Sequence, residues 1–191
     1  LSLPLSFSLS LSLSLSPDLK HQIGESLIRQ LPHTSLYDLE SVFVGLGLLQ
    51  VSFKSLPLDV QTAVSHRVSL SLSLSPGNPP INIFALHNIL WGFARMSVRV
   101  EDVQPGQELC ARLLEKVLDR LHTFLPEHHG DILWSLGSMR YQLSHMSSTQ
   151  GEGVSRLIAV LTRVLLGLPP RGTVYCLWGL AKMGVRWPDL C

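Results

Sequence analysis

The stretches ILWGFARM (residues 89–96), ILWSLGSM (132–139) and CLWGLAKM (176–183) decide the fold. Each centres on a tryptophan, at Trp91, Trp134 and Trp178, follows it with a small residue, and ends on a methionine. Trp91 and Trp134 are 43 residues apart, and Trp134 and Trp178 are 44 apart. That interval is typical of helix-pair repeats that stack into a solenoid. The likeness continues past the methionines. MSVRVEDV (96–103) and MGVRWPDL (183–190) share a Val-Arg pair and a following aspartate, Asp102 and Asp189, while MRYQLSHM (139–146) keeps apolar residues at Tyr141 and Leu143. A weaker fourth copy lies in SVFVGLGLLQVSF (41–53), with Val44 in the ring place and Leu49 in the methionine place, 47 residues before Trp91.

The periodicity around these stretches is helical. In residues 83–96, Phe84, Leu86, Ile89, Leu90, Phe93 and Met96 recur at three- and four-residue steps and mark one broad face. Residues 108–121 carry the pattern again in Leu109, Leu113, Val117 and Leu121, after the punctuation of QPGQE (104–108). Residues 130–140 and 154–166 form a second pair, ended by GLPP, and a third begins at Thr173 and runs out at Cys191. A single helical hairpin cannot bury its apolar faces alone, so hairpins of this kind stack on one another. The expected fold class is therefore all-α: an α-solenoid of about four stacked helix-pair repeats, the last incomplete. The ring and methionine places are expected to face the core. The small residues after the ring, Gly45, Gly92, Ser135 and Gly179, are expected to let successive helices approach closely.

Composition bounds the function. The chain is 46% apolar and only 15% charged, with 15 basic against 14 acidic residues, so no overall basic charge announces nucleic-acid binding. One basic face is still compatible with that balance. Cys110, Cys176 and Cys191 form no C-x-x-C pair, which excludes a disulfide framework or a cysteine zinc site by spacing. HTFLPEHH (122–129) brings His122, Glu127, His128 and His129 together around a proline and reads as a surface turn between units; no metal is expected. Nucleophile-elbow, HExxH, Walker and dinucleotide-glycine motifs are missing, as is a catalytic pair of carboxylates, so neither an enzyme nor a cofactor is expected.

Two tracts stand apart. LSLPLSFSLSLSLSLSP (1–17) and VSLSLSLSP (68–76) alternate Leu and Ser, as a translated CT dinucleotide repeat does. They read as simple-sequence DNA drawn into the coding frame, with a disordered insertion or an edge strand as the other readings. The first makes a poor signal peptide and a poor membrane span, and without an initiator Met targeting information could lie upstream. The expected organisation is a Leu/Ser tract at 1–17 and a helical repeat domain at 18–191, with a second insertion at about 68–80.

NILWGFARM, DILWSLGSM and VYCLWGLAKMGVRWPDL resemble the L-W-A-L-A-K-x-G signature of octotricopeptide-type and heptatricopeptide-like repeats. These occur in organellar proteins and in the FAST-kinase-related group, often upstream of a RAP domain. The resemblance covers roughly residues 36–191 and is strongest at 83–103 and 173–190, although the spacing here is longer than that family's usual period. It implies single-stranded RNA binding in a mitochondrion, or alternatively a chloroplast, in transcript processing, stability or translation, beside other organellar RNA-processing proteins and without a membrane. No RAP or nuclease-like region is visible in this sequence.

Val44, Trp91, Trp134 and Trp178 are the structural signature. Polar places that vary between units are the candidate readout positions. One precedes the methionine place and holds Leu48, Arg95, Ser138 and Lys182; another follows it by three and holds Ser52, Arg99, Gln142 and Arg186. Arg140 adds to the set. Arginine and lysine hold phosphates, and Ser138 or Gln142 can bond a base edge. The competing function is a protein-binding α-solenoid scaffold. RNA binding predicts one continuous basic stripe, whereas interruption by acidic or apolar residues favours the scaffold.

Overall fold

The computed structural model describes residues 16–73, 82–99, 123–142 and 165–186, together with 112, 113, 115–117, 119, 120, 159 and 161–163. All regular structure among them is helical. The chain forms α1 (Pro17–Gln30), α2 (Leu36–Leu48), α3 (Leu58–Ser73), α4 (Ile83–Arg95), α5 (Pro126–Ser138) and α6 (Pro170–Lys182). Residues 112, 113, 115–117, 119 and 120 are also helical. Short 3₁₀ turns follow α1 and α2 and precede α6.

The helices that carry the repeated stretches, α2, α4, α5 and α6, are each 13 residues long. They start differently. Ser35 and Asp38 form a reciprocal capping box on α2, and Asn82 Oδ1 accepts from the Phe84 N–H at 2.8 Å on α4. Pro126 and Pro170 begin α5 and α6, where a missing N–H costs nothing. All four stop in the same way. The residue two past each helix takes a positive φ: Gln50 53°, Ser97 55°, Arg140 57° and Gly184 87°. Its N–H donates to the carbonyls of Gly47, Ala94, Gly137 and Ala181, respectively. The next N–H, from Val51, Val98, Tyr141 and Val185, reaches back to Leu46, Phe93, Leu136 and Leu180 at 3.0–3.1 Å. This is the Schellman motif with its apolar closure, built four times at one sequence position.

The four helices pack in chain order, α2 on α4, α4 on α5 and α5 on α6, while α1 and α3 pack on each other and α3 meets α2. Glycines set the register. A Cβ on Gly92 would lie 2.6 Å from Phe43 Cβ and 2.7 Å from Phe43 O, and one on Gly179 would collide with the Leu133 carbonyl. A Cβ on Gly47 would lie 2.9 Å from Arg95 Cβ, and one on Gly137 3.0 Å from Lys182 Cβ. The residue after the ring thus sits against the residue before the previous ring, in both α2/α4 and α5/α6. The α4/α5 contact is less extensive. There Ala94 and Ser135 stand where the other two pairs have glycines.

Several expectations change. Gly45 has no neighbouring atom within 4 Å of its Cβ direction, so it mediates no close approach. Residues 68–73 of the second Leu/Ser tract form the last turns of α3, where Val60, Val64, Val68 and Leu72 recur every four residues and are all buried. Residues 74–80 and 1–15 lie outside the described residues. The segment around His128 and His129 is the first turn of α5 rather than a surface turn, and His129 is buried. The final repeat helix begins at Pro170, three residues before Thr173. The methionine places 96, 139 and 183 are core residues, whereas Leu49, on the first helix of the series, is exposed. The end of the last unit, 187–191, is also outside the described residues.

Candidate functional site

The ring places sit at the rim of the core rather than inside it: Trp134 is partly buried and packs against it, while Trp178 is exposed. Two residues of α-helix correspond to about 200° of rotation, so a residue and the one two after it point in nearly opposite directions. Phe93, Leu136 and Leu180 are the buried ones, and Trp91, Trp134 and Trp178 therefore point away from them. Trp91 and Trp134 are half-buried and Trp178 is 39% exposed.

On this outer face the tryptophans carry cations at helical spacing. The Arg95 guanidinium lies 5.6 Å from the Trp91 ring centre, and Lys182 Nζ lies 5.5 Å from that of Trp178. Each cation is four residues after its ring, so both pairs arise from one helical turn. Arg171 adds a third pair over Tyr175 at 5.0 Å. Between α5 and α6, Trp134 stacks on Tyr175 (5.9 Å, 30°) and on Trp178 (6.4 Å, 29°). The result is a ladder of rings and cations between α5 and α6, and Trp91 with Arg95 repeats the ring–cation pair on α4. Each cation–π pair is worth about 0.5–1 kcal/mol at an exposed site, enough to orient a side chain but not to lock it.

Polar contacts tie the same face together between helices. Asn88 Nδ2 donates to Glu40 Oε1 across α2 and α4, and His87 Nε2 lies 3.7 Å from Asp131 Oδ2 across α4 and α5. Both contacts join the position four before one ring to the position three before the next, so the middle interface shares the register of its neighbours. His87 Nδ1–H donates to Asn88 Oδ1 at 3.0 Å. His128 packs beside it, ring centres 5.0 Å apart, and edge-on to Phe84 at 5.4 Å. Burial lowers the His128 pKa from its ordinary value, and the neighbouring His87 pushes it the same way.

The sequence-derived positions divide. Arg95 and Lys182 are exposed and stand over Trp91 and Trp178. Ser138 takes the equivalent place on α5 and is half-buried; Leu48 takes it on α2 and is exposed. Arg140 is exposed at the positive-φ position of its cap, Arg186 is exposed, and Arg99 is half-buried. Gln142 is committed elsewhere: its Nε2 donates to the Lys182 carbonyl at 3.1 Å and ties one cap to the next. Arg171 and Tyr175 were not singled out by the repeat pattern. Their signal is the spacing in RGTVYCLW, which puts an arginine, a tyrosine and Trp178 on one helical stripe.

The basic residues share a face but do not make a continuous stripe. Glu40 and Asp131 interrupt it, and Ser138 breaks the series of cations. Asp102, Glu108 and Asp189 lie outside the described residues. Among the described residues no group of three or more His, Cys, Asp or Glu side chains is placed to hold a metal ion, and no helix is long and apolar enough to cross a membrane. Comparison with protein-family models, curated proteins and solved structures found no match to the chain.

Proposed function

We propose that this chain is an α-solenoid of helix-pair repeats that binds single-stranded RNA along the outer face of α4, α5 and α6. The observation that carries the reading is the ladder of Trp134, Tyr175 with Arg171, and Trp178 with Lys182, beside the Trp91–Arg95 pair on α4. Single strands are held by planar side chains on which bases stack, at about 1–3 kcal/mol per base, and by cations that follow the phosphates. The ladder offers both groups. Sequence resemblance to octotricopeptide-type and FAST-kinase-related repeats supports the same reading and is the basis for assigning it to a mitochondrion, or a chloroplast, and to transcript processing, stability or translation.

Glu40 and Asp131 favour a second reading, a scaffold for a protein partner of mixed charge. Fluorescence anisotropy with a labelled mixed-sequence single-stranded RNA, over a series of salt concentrations, separates the two. RNA binding requires an affinity that falls with salt, by a log–log slope of about 0.7 per phosphate contact. It also requires that Arg95→Ala, Arg171→Ala and Lys182→Ala together flatten the slope while the helical circular dichroism is kept. A folded wild-type chain without salt-sensitive RNA affinity refutes the RNA reading and leaves the scaffold.

A further inference from the structure

His87 is held in one tautomer by its neighbours. A carboxylate only accepts, so across α2 and α4 it is the Asn88 Nδ2 amide that faces Glu40 Oε1. The Asn88 carbonyl oxygen then faces His87 Nδ1 at 3.0 Å, and it too only accepts. The single ring proton of a neutral His87 is therefore on Nδ1, and Nε2 keeps a bare lone pair. That nitrogen is buried without a hydrogen-bond partner and lies 3.7 Å from Asp131 Oδ2 on α5. The His87 side chain is only 13% exposed, so water gives it little relief.

Two acceptors thus face each other between α4 and α5. Such a contact costs free energy, because neither group finds the proton it needs. One proton on Nε2 reverses the sign: the imidazolium donates to the carboxylate, and a charge-assisted bond of this type closes to about 2.7–2.9 Å. The α4/α5 contact is the least extensive of the three between successive repeat helices, so one pair counts for more there than elsewhere.

We infer that the α4/α5 joint holds a proton-operated latch, in which protonation of His87 Nε2 draws Asp131, and α5 with it, toward α4. Closed, the latch completes a polar chain from Glu40 through Asn88 and His87 to Asp131, across α2, α4 and α5. The other ionisable groups around it are Glu127, His128 and His129 of α5 and the Cys176 thiol of α6, which stands near Asp131; α4 adds none before Arg95, two turns on. His128 opposes the latch. Its ring lies 5.0 Å from that of His87, its Nδ1 is also buried without a partner, and burial keeps it neutral while His87 takes the proton. The stabilisation by the latch is present while His87 is charged and is lost as pH rises and the proton leaves, the opposite sense to that of neutral His128. It is independent of RNA binding, because none of the four residues of the chain is a ring or cation of the ladder.

The tautomer is tested first, by long-range ring correlations in NMR of the full wild-type chain carrying isotope-labelled histidine, with the His87 signals assigned by their loss in His87→Gln. At about pH 8 they should report the Nδ1–H form. An Nε2–H form would overturn the inference, because that nitrogen would already donate to Asp131. A double-mutant cycle of His87→Gln and Asp131→Asn, read by urea unfolding at about pH 8 and about pH 5.5, measures the latch itself. The pair should lower the unfolding constant about tenfold at the lower pH and not at all at the higher. Equal coupling at the two pH values, or none at the lower, would overturn the inference. The cycle should give the same result in a His128→Leu background, and coupling lost there would overturn it by assigning the proton to His128.

Discussion

Gly92 and Gly45 occupy the same place in the repeat, one residue after the ring, and the same substitution is expected to have opposite effects on them. At Gly92 an alanine Cβ would lie 2.6 Å from Phe43 Cβ and 2.7 Å from Phe43 O. Backbone and Cβ atoms cannot rotate out of the way, so α2 and α4 must separate along the contact that also holds Gly47 against Arg95. Overpacking of this kind costs about 1–3 kcal/mol, and two rigid contacts put it near the upper end, at about 3 kcal/mol. The better helix propensity of alanine returns about 1 kcal/mol. The net loss is then about 2 kcal/mol, which lowers the melting temperature by about 4–8 °C in a domain of this size. At Gly45 only the propensity term applies, and Gly45→Ala should gain about 1 kcal/mol and melt about 2–4 °C higher. Both are read by circular dichroism melts in dilute solution. A Gly92→Ala variant as stable as the wild type, or a Gly45→Ala variant that loses as much as Gly92→Ala, would refute the packing argument.

Three further outcomes follow from the caps, the half-buried His128 and the buried thiol. Ser97→Gly relieves a residue held at φ 55°, and should stabilise by about 1 kcal/mol in urea unfolding, whereas Gly184→Val at φ 87° should destabilise by at least as much. His128 is held below its ordinary pKa by burial and by His87, with His129 pushing the same way and Glu127 and Asp131 opposing. The unfolded chain therefore binds the proton first: the contribution of neutral His128 is complete above about pH 6.5 and declines as pH falls through that value toward the folded pKa. His128→Leu should accordingly show a smaller drop in melting temperature than the wild type between about pH 7 and pH 5. Cys176 is fully buried and its pKa is raised to about 11 by burial and by the Asp131 charge. In a Cys110→Ser, Cys191→Ser background its thiol should resist iodoacetamide in native buffer and react in denaturant, as followed by mass spectrometry.

The repeat was legible because the ring, the small residue and the methionine recur together, and those places fix a helix, its closest neighbour and its stop. The cap was partly legible: Gly184 announces a positive φ, but Gln50, Ser97 and Arg140 adopt it without a glycine, since the buried Val51, Val98 and Tyr141 hold the turn closed. The orientation of the tryptophans was hidden. A bulky ring at repeat spacing reads as core, and only the register shows that Leu90 and Leu133 fill the contact while the rings sit at its rim. The helical end of the second Leu/Ser tract was masked by its alternation, which places an apolar residue at every second position and so also at every fourth. The bond from Gln142 to the Lys182 carbonyl spans two units, beyond any local pattern.

The most direct measurement is a disulfide scan of the stacking register in the Cys110→Ser, Cys191→Ser background. A Cβ added at Gly47 would lie 2.9 Å from Arg95 Cβ and one at Gly137 3.0 Å from Lys182 Cβ, near the Cβ separation of about 3.5–4.5 Å that a disulfide needs once the helices relax slightly. A common register predicts bridges in the double-cysteine variants Gly47→Cys/Arg95→Cys and Gly137→Cys/Lys182→Cys. It also predicts one at the equivalent pair in the middle interface, Ala94→Cys/Ser138→Cys. Each is read as a mobility shift on a non-reducing gel and a mass loss of two hydrogens. Pairs displaced by two residues on one helix, such as Ala94→Cys/Leu136→Cys, should stay reduced. Oxidation of the displaced pair, with the Ala94→Cys/Ser138→Cys pair left reduced, would contradict four helices stacked as one repeated unit.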